Sequence, residues 1–187
     1  AAICHNDAEI TIKNVGINPT RTGILDVLTS MGASIDVDNQ RKEGGELVAD
    51  ITARSSDLHS VNIEGDIIPR LIDEIPILAL AACFASGTTI IRNAEELRIK
   101  ESDRINAMHR ELSRLGASVN QTADGLIISG GKGLYGDTHQ SYDDHRIAMT
   151  LGIAGLVSKG KALIQNADTA SISYPSFWED LESLGAA

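Results

Sequence analysis

A short motif that recurs three times is the feature of this chain that most constrains its fold. Each copy is a six-residue run of β-type character that closes on asparagine, at Asn14, Asn93 and Asn166. The closing residues lie 79 and 73 residues apart, and self-similarity at a nearly constant spacing indicates repetition of one supersecondary unit. The 187-residue chain is therefore predicted to contain three copies of this unit.

Between these motifs, helix-like and strand-like stretches alternate. A helix-like stretch follows each asparagine and ends in a Gly-Ala pair, where glycine suits a left-handed C-cap. A β-hairpin is predicted after the first two of these helices, because alternating runs flank a turn that contains glycine. The Gly-Ala pairs begin at Gly32, Gly116 and Gly185, and the hairpin turns contain Gly44-Gly45 and Asp124-Gly125.

A second helix precedes the motif in each of the two later copies. These helices are predicted over 73–85 and 144–157, and a glycine follows each of them, six residues before the closing asparagine. In circular order, the unit then reads βαβαββ, which predicts an α/β (α+β) fold. The length suits a single domain over 1–187 or two small ones. The repeat units span about 1–60, 61–135 and 136–187.

Compared with its own repeat, the chain is incomplete at both ends. Only Ala1-Ala2-Ile3 stand where the first unit should have a helix, and no hairpin follows Gly185-Ala186. We therefore expect the chain to be a piece of a longer protein, with strands from elsewhere in that protein completing the third unit.

Composition argues against several classes of function. The chain has 16 Lys+Arg against 26 Asp+Glu, and this net charge of −10 disfavours a surface that neutralises nucleic acid. The longest apolar run, 75–85, is too short to span a membrane. Cys4 and Cys83 lack the spacing of metal ligands and are predicted to be reduced and buried. The absence of that spacing leads us to expect no bound metal. The first residues resemble no export signal, so we expect a cytoplasmic protein.

Two segments concentrate charge at predicted helix starts, where backbone N–H groups and the helix dipole favour anions. The first, 97–104, leads into an amphipathic helix, and a solvated, salt-bridged helix start is its structural alternative. The second, 141–149, leads into an almost wholly apolar helix, which places His145 and Arg146 at the edge of the core. Its structural alternative is that Arg146 pairs with a neighbouring carboxylate.

A third helix start, within 65–76, places two carboxylates directly before an apolar helix. Asp73 either caps this helix, with Pro76 in the first turn, or has a catalytic role, and the segment alone does not decide. The segment 18–21 (Asn-Pro-Thr-Arg) likewise stands at the start of a predicted helix, that of the first unit. A structural role is predicted for it.

Taken together, the segments 66–74, 97–104 and 142–149 resemble the enolpyruvyl-transferase family, and within it the enzymes that act on shikimate 3-phosphate. The resemblance covers essentially the whole chain, including 87–89 and 173–177. It implies an inside-out α/β barrel fold of two domains, each built from three βαβαββ units. This chain would form the returning part of the first domain, and the second domain and the N-terminal strands would be its partners.

The resemblance implies transfer of the enolpyruvyl group of phosphoenolpyruvate to the 5-hydroxyl of shikimate 3-phosphate, with release of phosphate, in the shikimate pathway. No metal or organic cofactor is implied. Matched by position, the resemblance implies that Asp73 is the general base at the hydroxyl and that Glu101 acts on the enolpyruvyl methylene. It implies that Lys100 spans both substrates. Arg104 and Arg146 would bind phosphoenolpyruvate, with His145 beside them.

Two positions depart from the pattern of the family. Ile172 stands where many relatives carry a lysine that contacts phosphoenolpyruvate, so no cation is assigned there. Glu96 stands where some relatives have an asparagine against the shikimate ligand.

Two other functions stay open. The first is transfer to UDP-N-acetylglucosamine by the sister enzyme, although the motif 100–104 favours the shikimate acceptor. The second is a non-catalytic half-site, because most contacts to shikimate 3-phosphate in the family come from the absent domain and catalysis requires domain closure. We therefore expect negligible turnover and weak anion binding from this chain alone.

Overall fold

The computed structural model describes residues 1–184, which form nine strands and five helices of an α/β fold. In chain order these are β1 (Glu9–Gly16), α1 (Gly23–Ser30), β2 (Ser34–Glu43), β3 (Glu46–Arg54), β4 (Asn62–Ile63), α2 (Ile75–Phe84), β5 (Thr88–Ile91), α3 (Arg104–Arg114), β6 (Ser118–Gln121), β7 (Leu126–Ser129), β8 (Thr138–Gln140), α4 (His145–Val157), β9 (Leu163–Gln165) and α5 (Phe177–Ser183). Short 3-10 turns cover Gly65–Arg70, Ile72–Glu74, Glu95–Ile99 and Ala167–Ile172.

The described strands form three sheets. Their orders are β1-β3-β2, β4-β5-β7-β6 and β8-β9. The first sheet is antiparallel, β4 runs parallel to β5, and β8 runs parallel to β9. From β4 to β7 the elements follow the order βαβαββ. The division of the whole chain into three units stays a prediction.

The three motif asparagines share one backbone conformation. Asn14, Asn93 and Asn166 have positive φ angles of 58°, 57° and 54°, in the left-handed region that asparagine tolerates better than most residues. The backbone N–H of Asn14 donates to Asp50 at 3.0 Å, and that of Asn93 donates to Asp124 at 2.9 Å. At Asn14 this contact lies at an irregularity inside β1, where the pairing with β3 shifts between Ile12 and Val15. At Asn93 it lies just after the end of β5.

The predicted helix ends and hairpins are confirmed in the first two thirds of the chain. Gly32 and Gly116 follow α1 and α3 with φ angles of 92° and 89°, as left-handed C-caps require. The hairpins β2–β3 and β6–β7 turn through Gly44-Gly45 and Asp124-Gly125. The Gly-Ala pair predicted at Gly185 lies outside the described residues.

Apolar packing brings three helix starts to one side of the molecule. Helix α2 packs against α3, α4 and β7. Since α2 is apolar on all sides, it lies in the core. The predicted amphipathic helix α3 turns its apolar stripe toward α2. The buried residues include Leu78, Ala79, Leu80 and Ala82 in α2 and Ile105, Met108 and Leu112 in α3, with Leu115 at the C-cap of α3. The N-terminal ends of α2, α3 and α4 therefore meet.

The two cysteines are free thiols in different surroundings. Cys83 is buried as predicted, and its burial raises the pKa of the thiol to about 12. Cys4 is only partly buried. Among residues 1–184, no group of three or more His, Cys, Asp or Glu side chains is arranged to hold a metal ion. None of the helices described is long and apolar enough to cross a membrane.

Gly125 is required by a close backbone approach. A Cβ atom added there would overlap the carbonyl oxygen of Ile91, so we expect Gly125→Ala to destabilise the fold by about 1–3 kcal/mol. Urea unfolding measures the loss. Gly16→Ala is the control, because a Cβ atom there meets nothing within 4 Å. A Gly125→Ala variant that unfolds at the same urea concentration as wild type would contradict this contact.

Candidate functional site

A buried arginine organises the place where the three helix starts meet. Arg104, the first residue of α3, is only 1% exposed. Its Nε donates to Asp144 Oδ2 at 2.8 Å, its Nη1 donates to Asp73 Oδ1 at 3.0 Å, and its Nη2 donates to Glu101 Oε2 at 2.7 Å. A single guanidinium therefore holds three carboxylates that come from three parts of the chain. The structural alternative for this segment, a solvated and salt-bridged helix start, is right about the ion pairs. It is wrong about solvation at Arg104, because that side chain is buried.

Asp144 is the fully buried partner in this cluster. It caps α4 by accepting the backbone N–H of Arg146 at 2.9 Å, and it also accepts the hydroxyl of Ser102 at 2.9 Å. Burial alone would raise the pKa of the Asp144 carboxyl, but the hydrogen bonds and charge of Arg104 outweigh burial and hold that pKa below its ordinary value. Burial alone would likewise lower the pKa of Arg104, and its carboxylate partners raise it instead. Both groups are therefore charged at neutral pH.

Asp73 faces the cations of the site and does not cap α2. It lies in the 3-10 turn Ile72–Glu74, so the predicted helix over 73–85 begins two residues later, at Ile75. The helix has no side-chain cap, although Pro76 does occupy its first turn as predicted. Besides its bond to Arg104, Asp73 lies 3.9 Å from Lys100 Nζ and 3.9 Å from Arg146 Nη2. The capping alternative for Asp73 is therefore wrong.

Lys100 and Glu101 lie on the loop that enters α3. Lys100 Nζ is 2.5 Å from Glu96 Oε1, so the carboxylate that replaces the asparagine of some relatives pairs with the candidate substrate lysine. Glu101 Oε1 lies 3.8 Å from His145 Nδ1. Through Arg104 and His145, Glu101 connects the start of α3 with the start of α4.

Arg146 completes the cluster from the first turn of α4. Its Nη1 donates to Glu74 Oε1 at 3.2 Å, so the predicted pairing of Arg146 with a carboxylate occurs. Its Nε is buried and has no hydrogen-bond partner among residues 1–184. The hydrogen bond to Glu74 engages only Nη1 of this guanidinium. The six residues that the sequence singled out lie in one cluster: Asp73, Lys100, Glu101, Arg104, His145 and Arg146.

A cavity of about 300 Å³ opens beside this cluster. Asp73, Glu74 and Arg146 line one part of it, and Thr20 and Arg21 line another part. The segment 18–21, for which only a structural role was predicted, thus borders the candidate site. Ile172 does not line this cavity and is 72% exposed.

A family model for EPSP synthase (3-phosphoshikimate 1-carboxyvinyltransferase) matches residues 1–181. The chain belongs to the EPSP synthase family. Two relatives named 3-phosphoshikimate 1-carboxyvinyltransferase, from Roseiflexus castenholzii and Synechococcus elongatus, are each 56% identical to it over 184 residues. The match covers 98% of this chain but only 43% and 41% of those relatives. The resemblance drawn from the sequence is confirmed.

Solved structures confirm the fold of the family. EPSP synthase from Acinetobacter baumannii matches with a TM-score of 0.94 at 39% identity, over 98% of this chain and 43% of that one. The enolpyruvyl transferase NikO from Streptomyces tendae matches with a TM-score of 0.76 at 26% identity, over 100% of this chain and 41% of that one. The chain thus spans about two fifths of the length of these EPSP synthases and of NikO.

A second buried polar cluster connects α3 with the loop before α4, and the sequence did not predict it. Glu111 of α3 is fully buried and accepts a hydrogen bond from the Tyr142 hydroxyl at 2.8 Å, and His139 Nδ1 lies 2.8 Å from its other oxygen. Burial would raise the pKa of Glu111, but these two partners lower it below its ordinary value. The only sequence signal is a glutamate beside the buried positions Met108 and Leu112.

Tyr142 anchors a strained loop in front of α4. Tyr142 and Asp143 have consecutive positive φ angles of 57° and 54°, a conformation that costs free energy for residues with a Cβ atom. The hydrogen bond from Tyr142 to Glu111 ties this loop to α3. Because Asp144, His145 and Arg146 follow directly, the loop sets where α4 begins.

We expect Tyr142→Phe to destabilise the chain by about 1–3 kcal/mol, because it removes a hydrogen bond to a buried carboxylate. Urea unfolding at neutral pH measures the loss. Tyr135→Phe is the matched control, since Tyr135 is 59% exposed, and we expect it to change stability by less than about 0.5 kcal/mol. Equal stability of the two variants would show that the Glu111 contact contributes nothing.

Proposed function

We propose that the longer enzyme containing this chain transfers the enolpyruvyl group of phosphoenolpyruvate to the 5-hydroxyl of shikimate 3-phosphate. The observation that carries this proposal is the Arg104 cluster: one buried guanidinium orients Asp73 and Glu101, and Lys100 and Arg146 stand beside them. Two carboxylates and several cations suit a reaction that moves protons between substrates bearing phosphate and carboxylate groups.

The reaction has two stages, addition and elimination. In the addition, Asp73 accepts the proton of the acceptor hydroxyl, whose oxygen bonds to C2 of phosphoenolpyruvate while C3 gains a proton from the Glu101 side. In the elimination, the bond from C2 to the phosphate oxygen breaks and C3 returns its proton to Glu101. The proton that Asp73 accepted leaves with inorganic phosphate, so both carboxylates regain their starting protonation states as the enol ether leaves. Lys100 and Arg146 stabilise the anionic groups throughout. Arg104 is buried and its N–H groups are held by three carboxylates, so it positions Asp73 and Glu101.

Arg104 determines where both carboxylates point. Its Nη1 holds one oxygen of Asp73 and its Nη2 holds one oxygen of Glu101, which leaves the second oxygen of each for proton transfer. Because the fork of an arginine is planar and rigid, the two carboxylates keep a fixed separation. This arrangement supports a base role for Asp73 at the acceptor hydroxyl and an acid role for Glu101 at C3 of phosphoenolpyruvate.

The chain carries one part of this site, and the remaining contacts would come from the rest of the enzyme. Closure of a second domain would exclude water and complete the binding of both substrates. We expect negligible turnover from residues 1–187 alone. The enzyme would work in the cytoplasm, a location that the free thiols of Cys4 and Cys83 suit.

A turnover assay with two acceptors tests the proposal. The full-length enzyme is incubated with phosphoenolpyruvate and either shikimate 3-phosphate or UDP-N-acetylglucosamine, and phosphate release and product mass are followed. We expect product only with shikimate 3-phosphate. Product only with the nucleotide sugar would assign the sister reaction instead, and product from the 187-residue chain alone would overturn the need for a second domain.

A further inference from the structure

We propose that Arg21 is a further anion-binding residue of this site, which contacts a phosphate or carboxylate group of a substrate in the cavity that it shares with Arg146. This inference rests on the proposed function and deepens it. The sequence predicted only a structural role for the segment 18–21, and the resemblance assigned no ligand contact there.

The cavity joins two distant parts of the chain. Thr20 and Arg21 come from the loop between β1 and α1, whereas Asp73, Glu74 and Arg146 come from the starts of α2 and α4. Its volume of about 300 Å³ is at the small end of ligand pockets and suits a compact metabolite. A ligand in this cavity would be within reach of both arginines.

The loop that carries Arg21 is tightly built. Asn18 Oδ1 accepts hydrogen bonds from the backbone N–H of Thr20 at 3.0 Å and from its hydroxyl at 2.8 Å. The backbone N–H of Arg21 donates to Asn18 O at 2.9 Å. These bonds close an Asx turn within a β-turn, so the backbone of Arg21 is fixed before any ligand arrives.

A second arginine ties this loop to the site. Arg70 Nε donates to Pro19 O at 2.7 Å, and its Nη2 lies 2.9 Å from Asp26 Oδ2. Gly23 permits the approach, because an added Cβ atom would lie 3.0 Å from Arg70 Cβ and 3.1 Å from its carbonyl oxygen. Arg70 also lines the cavity, but its guanidinium is already engaged in holding the loop. It therefore supports Arg21 and is not itself the proposed contact.

Charge distinguishes Arg21 from its neighbours. The carboxylates on the cavity wall are already paired, Asp73 with Arg104 and Glu74 with Arg146. Within residues 1–184, the side chain of Arg21 takes part in no ion pair or hydrogen bond. In a chain of net charge −10, such a cation beside a cavity is available to an incoming anion. The planar fork of arginine matches carboxylate and phosphate oxygens.

The test compares substrate affinities of full-length wild-type enzyme and the Arg21→Ala variant. We expect KM for one anionic substrate to rise about tenfold or more, as loss of a charge-assisted hydrogen bond would cause. A rise confined to phosphoenolpyruvate places its phosphate or carboxylate at Arg21, and a rise confined to shikimate 3-phosphate places that phosphate there. Arg21→Lys should lie between wild type and Arg21→Ala, since it retains the charge but loses the fork.

Arg41→Ala is the matched control, because Arg41 is paired with Glu43 in the remote hairpin strand β2 and does not line the cavity. Unchanged KM for both substrates in Arg21→Ala would overturn the proposal. So would a fall in unfolding midpoint with unchanged KM, which would indicate a structural role only.

Calorimetric titration with phosphoenolpyruvate supplies a readout that does not need turnover. Weaker binding to Arg21→Ala than to Arg41→Ala supports the inference even if shikimate 3-phosphate is not the acceptor. Equal binding to both, together with unchanged KM for shikimate 3-phosphate, contradicts it. Failure of the inference and failure of the proposed function can therefore be told apart.

Discussion

Asp73→Asn should lower kcat of the full-length enzyme by about 10²–10⁴-fold, the range in which a positioned general base contributes. Asparagine keeps the shape of the side chain and can still accept a hydrogen bond from Arg104, which now lies 3.0 Å from Asp73 Oδ1. It cannot take the proton of the acceptor hydroxyl. We therefore expect the dissociation constants of the substrates to change far less than kcat, as measured by steady-state kinetics and calorimetry.

Asp36→Asn is the control for this variant. Asp36 forms an ion pair with Arg54 on the exposed face of β2, and exposed pairs contribute about 0–1 kcal/mol to stability. Its kcat should match wild type. An Asp73→Asn enzyme with wild-type kcat would show that Asp73 takes no part in the proton transfer. A similar loss of kcat in Asp36→Asn would show that the assay reports impaired folding.

Asp144→Ala should lower the free energy of unfolding by about 3–5 kcal/mol, because it removes from the buried charge of Arg104 the one of its three carboxylate partners that is fully buried. Asp144 is fully buried and also caps α4. The control is Asp103→Ala, which removes the cap of α3 at a half-exposed position and should cost only about 1 kcal/mol. Denaturant unfolding of both variants measures the difference, and equal losses would mean that the ion pair adds nothing beyond capping.

The same ion pair predicts a pH dependence of stability. The pKa of Asp144 in the folded chain lies below its ordinary value of 3.8, so the unfolded state binds the proton more readily. The stability that this carboxylate contributes is fully present above pH 3.8 and declines as the pH falls through the lower folded-state pKa. Asp144→Ala should lose less stability than wild type across that interval, as urea unfolding at several pH values would show.

Sequence patterns predicted the elements of this fold that are encoded locally. The stripe through Ile105 and Met108 gave α3, and glycine turns gave both hairpins, because helix periodicity and turn conformation depend on neighbouring residues. The start of α2 was placed two residues too early, at Asp73, because an aspartate before an apolar run is typical of a cap. In the structure, Arg104 draws that carboxylate toward the site.

Recognition of the candidate site depended on resemblance, and the residues thus identified do lie together. The resemblance could not identify Arg21 or Glu111. Arg70 holds the loop on which Arg21 borders the cavity, and Tyr142 and His139 contact the buried carboxylate of Glu111. Both effects depend on contacts between residues far apart in sequence, which local patterns do not report.

The sequence by itself determined the threefold motif, the family and the charged helix starts, since each is written in residue types at short spacing. The tertiary structure decided which charges meet. Arg104 binds Asp73 and Asp144, 31 and 40 residues away, because burial of the apolar helices α2, α3 and α4 brings their N-terminal ends together. The hydrophobic effect is non-directional and does not depend on which residues are neighbours in sequence. Which carboxylate pairs with a buried arginine is therefore decided only when the core has formed.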